Sequence, residues 1–82
     1  MKTSTPTALA LEIRAEMARQ QIGAGDLAGR CELSEPQVAR RLSGAVALTV
    51  SDALLLADAI GVPLWKLMQR ATAVATEADR AA

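Results

Sequence analysis

Leu27-Ala28-Gly29-Arg30-Cys31-Glu32-Leu33-Ser34-Glu35-Pro36-Gln37-Val38-Ala39-Arg40-Arg41-Leu42-Ser43-Gly44 decides how this chain folds. The stretch predicts two short helices with a tight corner between them. Ser34 is a strong N-cap for the second of these helices. Gln37 stands three residues on, as a capping box requires, and Pro36 fits the first turn, where no backbone N–H is needed. Gly44 stops that helix. Leu27, Ala28 and Cys31 form the inner face of the first helix of the pair, Leu33 points inward from the corner, and Val38 and Leu42 pack inward from the second. A short helix held off the body by its predecessor can present its outer side chains to base edges in a DNA major groove.

Working outward, Thr5-Pro6-Thr7 opens a preceding helix after a polar start spanning 1–7. Leu9, Ile13 and Met17, with Leu11, recur along it at helical spacing, and Glu12, Glu16 and Arg19 take its wetter side. Ile22-Gly23-Ala24-Gly25 breaks it, and Asp26 sits at the start of the next helix, where a carboxylate favours the positive end. Downstream, Thr49 and Asp52 form a second capping box. Leu54, Ala57 and Ile60, widened by Leu55 or Leu56, form the buried stripe of a fourth helix that Gly61 ends. Pro63 begins a last helix with Leu64, Leu67 and Met68. Its tail, 71–82, has Val74 as its one large apolar residue and either extends the helix or frays.

The composition agrees with an all-α fold. The chain has 82 residues and is 51% hydrophobic, yet 18 of its residues are alanine, and it contains no Phe or Tyr. Helix formers dominate and β-branched and aromatic residues are sparse. So short a chain closes one modest core and leaves little for a deep catalytic cleft. The absence of histidine, with Cys31 as the lone cysteine, removes the usual zinc sites and any histidine-based triad. Cys31 reads as a small core residue, and a single cysteine fits a reducing cytoplasm. No apolar run spans a bilayer. These features predict neither an enzyme nor a cofactor.

Formal net charge is zero, with nine basic and nine acidic residues. Affinity for nucleic acid must then come from the placement of a few arginines, not from an overall field. On the helix over 34–43, Arg40 is suited to guanine, Gln37 to adenine and Glu35 to cytosine, and Pro36 can touch a thymine methyl. Arg19, Arg30, Ser34, Arg41 and Ser43 are candidates for phosphate contacts. A solvated helix face would show the same polar residues. Trp65, the only aromatic, turns outward if its neighbours face the core, and with Met68 marks a candidate dimer surface. Alternatively the indole folds down over a thin core.

Leu27-Ala28, Leu33-Ser34, Val38, Leu42, Ser43-Gly44, Leu54, Ala57, Ile60-Gly61-Val62 and Leu67, in this order and spacing, resemble the lambda-repressor/Cro-like helix-turn-helix proteins, the XRE family. The resemblance covers about residues 8–70. It implies a compact five-helix bundle with a C-terminal tail over 71–82. It also implies a sequence-specific transcription regulator, a Cro-like repressor from a phage, prophage or bacterium, bound as a homodimer to a two-fold DNA operator in the cytoplasm, at the nucleoid. Two other functions suit the same fold: an antitoxin whose tail masks a toxin, and a protein-interaction module. The chain departs from the family in three places. Glu32 stands where the corner usually has glycine, Ala24 and Gly25 stand where the second helix usually opens on a polar residue, and Arg41 stands where an apolar residue is often buried.

Overall fold

The computed structural model describes residues 7–81, with side chains to Ala73. It consists of five helices: α1 (Ala8–Gln20), α2 (Ala24–Cys31), α3 (Glu35–Ser43), α4 (Val50–Ile60) and α5 (Leu64–Ala81). No strand occurs among the described residues. The polar start over 1–6 and the part expected of Val74 lie outside the described residues or side chains.

Local sequence sets the helix boundaries. Thr7 caps α1, accepting the Ala10 N–H at 3.1 Å. Ser34 and Thr49 cap α3 and α4, each in a closed capping box with Gln37 and Asp52. Gly44 and Gly61 end these two helices at φ 87° and 73°, a region glycine occupies without strain.

The first helix ends differently from expectation. Gln21, not a glycine, takes the left-handed position at φ 57°. Gly23 then serves as the N-cap of α2, and Gly25 lies inside that helix. The glycine pair therefore opens α2 and does not break α1. Asp26 falls in the first turn, its carboxylate 3.5 Å from the Gly23 N–H.

Ile13, Leu27, Val38, Leu56 and Leu67 are fully buried, one from each helix, and the core closes around them. The stripes on α4 and α5 are rotated from those expected. Leu54 is 53% exposed and Leu55 is exposed as well, because Ala53 and Leu56 take the inward positions beside Ala57 and Ile60. Met68 faces outward beside Trp65, while Leu67 and Ala71 point in. Leu11 is likewise exposed.

Glu16 reverses its expected place on the wetter side, for it is buried at the junction of α1 with α4 and α5. Its carboxylate accepts Gln20 Nε2 at 2.9 Å, Arg19 Nε at 3.1 Å and Arg70 Nη1 at 2.8 Å. The Gln20 amide, working against burial and helped by the two guanidiniums, lowers the Glu16 pKa to about 2. Gln20 also donates to the Ile60 carbonyl at 2.8 Å, so one carboxylate and one amide join three helices.

Candidate nucleic-acid interface

Helices α2 and α3 meet at Glu32-Leu33-Ser34. Glu32 takes φ 58°, the left-handed conformation that a glycine would occupy more cheaply. The turn is secured by the Leu33 N–H, which donates to the Ala28 carbonyl at 3.0 Å, and by Leu33 itself, packed against the core. With Val38 and Leu42 buried, α3 presents Glu35, Pro36, Ala39, Arg40 and Ser43 to solvent.

The polar residues of this face differ in how much of their bonding capacity is already used. Arg40 donates only Nε, to the Pro36 carbonyl at 3.3 Å, so its two terminal nitrogens have no partner among the described residues. They are the pair that would grip a guanine edge. The Gln37 side-chain oxygen accepts the Ser34 N–H at 2.8 Å and closes the capping box. The Ser34 hydroxyl accepts the Gln37 N–H. The Ser43 hydroxyl donates to the Arg40 carbonyl and accepts the Ala45 N–H, closing the end of α3.

Glu35 leans back over α2. A Cβ added at Gly25 would lie 3.3 Å from Glu35 Oε2, so the carboxylate rests against the first turn of that helix, near its positive end.

The arginines expected on phosphate are occupied within the fold. Arg41 donates Nη1 to the Gln37 carbonyl at 2.9 Å, and its Nε lies 3.2 Å from Asp52 Oδ1, a charge contact without an aligned hydrogen bond. Arg30 donates to the Ala59 carbonyl at 3.1 Å, pinning α2 to the end of α4. Arg19 pairs with Glu12 at 2.9 Å and Glu16 at 3.0 Å.

Arg14 is a further cation near this face that the sequence pattern does not single out. It lies five residues before Arg19, so the two point about 140° apart around α1. Arg14, exposed, lines an open groove of about 410 Å³ with Ala18, Ala24, Ala39, Leu42 and Ser43, where α1, α2 and α3 meet. Its guanidinium has no partner among the described residues. Periodicity places Arg14 outside the core stripe but cannot tell which neighbouring helix it stands beside.

Elsewhere, burial raises the Cys31 thiol pKa, with Asp58 adding to the effect, which fits an inert core residue. Among the described residues, no cluster of acidic or cysteine side chains has metal-holding geometry, and no helix is long and apolar enough to cross a membrane.

The elements together define an all-helical domain built around a helix-turn-helix. A solved structure with this architecture is that of the clp gene regulator ClgR from C. glutamicum, matched with a TM-score of 0.75 at 16% identity, over 82% of this chain and 87% of that one. No family model matches the chain, and no curated protein does.

Proposed function

We propose that the protein is a sequence-specific regulator of transcription that reads the major groove of duplex DNA with α3. The observation that carries this reading is the terminal fork of Arg40, without a partner among the described residues, on the exposed face of the capped helix α3. The name of ClgR, a gene regulator with the same fold, supports the same class. In this reading Arg40 reads a guanine with Pro36 beside it, while Glu35 and Gln37 reach a base edge only by leaving the α2 contact and the capping box. Arg14 holds the phosphate backbone, while Arg19, Arg30 and Arg41 serve the fold first and DNA second. The protein acts as an XRE-type repressor, a homodimer on a two-fold operator with half-sites about one helical turn apart.

The test is enrichment of random duplex DNA on the purified protein, followed by binding of the winning site with the native chain and Arg40→Ala. A palindromic site whose affinity depends on Arg40 supports the regulator. Absence of enrichment, or binding indifferent to Arg40, removes it and favours a protein-interaction module on the same fold.

A further inference from the structure

The end of the domain formed by the close of α4 and the start of α5 carries both a protrusion and a receptacle. Trp65 is 67% exposed, with Met68 one turn further along the same face of α5. Beside them is an open groove of about 350 Å³, larger than an indole, lined by Leu54, Ala57, Val62, Pro63 and Leu64, with Asp58 also on its wall. Leu64 lines the groove, whereas Trp65, next in the chain, does not, so the indole does not fill the groove of its own molecule. Asp58 and Lys66, an acid and a base at this same end, have no counter-charge among the described residues.

We propose that this surface pairs with a second copy of the chain about a two-fold axis, Trp65 of each protomer entering the α4–α5 groove of the other and Lys66 meeting Asp58 across the axis. A two-fold interface must carry both halves of each contact on one surface. Here it has indole with groove and ammonium with carboxylate, whereas an unrelated partner would need only one of each. Tryptophan is well suited to anchor such a contact, since it buries a large area and has few torsions to fix. A patch of this size fits a dissociable dimer better than an obligate one. The inference rests on the homodimeric reading above and gives it a surface and a mode of pairing.

Because Trp65 is the only tryptophan, its fluorescence reports this surface alone. Sedimentation equilibrium and emission spectra are to be measured on the intact protein over one concentration series. The expected result is a monomer–dimer transition, with a shift of emission to shorter wavelength at the same midpoint. Lys66→Asp and Asp58→Lys, each checked for native melting, should raise the dimer dissociation constant at least about tenfold, and the double exchange should restore it. A dimer with unshifted emission, single charge reversals without effect, or a monomer at every concentration would overturn the proposal. DNA binding by a strict monomer would remove this surface and the homodimeric part of the regulator reading, leaving major-groove reading by α3 intact. A dimer with these properties that ignores DNA would do the reverse.

Discussion

Arg41 Nε lies 3.2 Å from Asp52 Oδ1, tying the last turn of α3 to the first turn of α4. Burial opposes the Asp52 charge, but the Thr49 N–H and Arg41 outweigh it and hold its pKa below the ordinary value. A folded-state pKa below the unfolded one means that the stabilisation is present above the unfolded pKa and fades as pH falls through the folded one. Asp52→Asn should therefore lower stability at neutral pH by about 1 kcal/mol and flatten the acid limb of a pH–melting profile. Equal acid sensitivity in the two proteins would contradict this.

Glu16 is the more acid-sensitive group. With its pKa held at about 2 against an ordinary 4.5, its contribution is complete above about pH 5 and disappears between there and pH 2. Glu16→Gln should cost about 2 kcal/mol at pH 7, because Arg70 and Arg19 lose their charged acceptor, and much less at pH 2. Urea denaturation at the two pH values measures the difference.

Glu32→Gly should stabilise the domain by about 1 kcal/mol in thermal melting, since relief of a left-handed non-glycine residue exceeds the added freedom of the unfolded chain. No gain would mean that the Glu32 side chain contributes more than its backbone costs.

Arg14 and Arg40 should differ in the kind of loss their removal causes. Arg40→Ala should weaken the best site roughly 10- to 100-fold and relax the preference at one base pair. Arg14→Ala should weaken all sequences alike and reduce the salt slope by about 1. Arg19→Ala, on the far side of α1, should change the slope less than Arg14→Ala and lower the melting temperature. Titrations at several salt concentrations would distinguish all three.

Much of the fold was legible from local chemistry. Ser34 with Gln37, Thr49 with Asp52, and Gly44 and Gly61 mark helix boundaries through interactions that span only a few residues. What was not legible depends on neighbours distant in the chain. Three consecutive leucines, Leu54 to Leu56, leave the phase of α4 open, and only packing selects Leu56. Glu16 has the pattern of a surface residue until Arg70, 54 positions away, arrives to pair with it. The same limit applies to the arginines of the site. Arg30 and Arg41 look like Arg40 in the sequence, and it is Ala59 and Asp52, on another helix, that determine that they are already engaged.

The knot around Glu16 also bears on how the molecule comes apart. It binds the first helix to the last at Arg70, and through Gln20 to the end of the fourth, so α1 cannot separate from α5 at Arg70 without breaking the cluster that also holds the end of α4. Slow amide exchange in α1 and α5 should then report a single opening event with one shared free energy, the domain behaving as a closed ring of helices and not as a chain of separable ones.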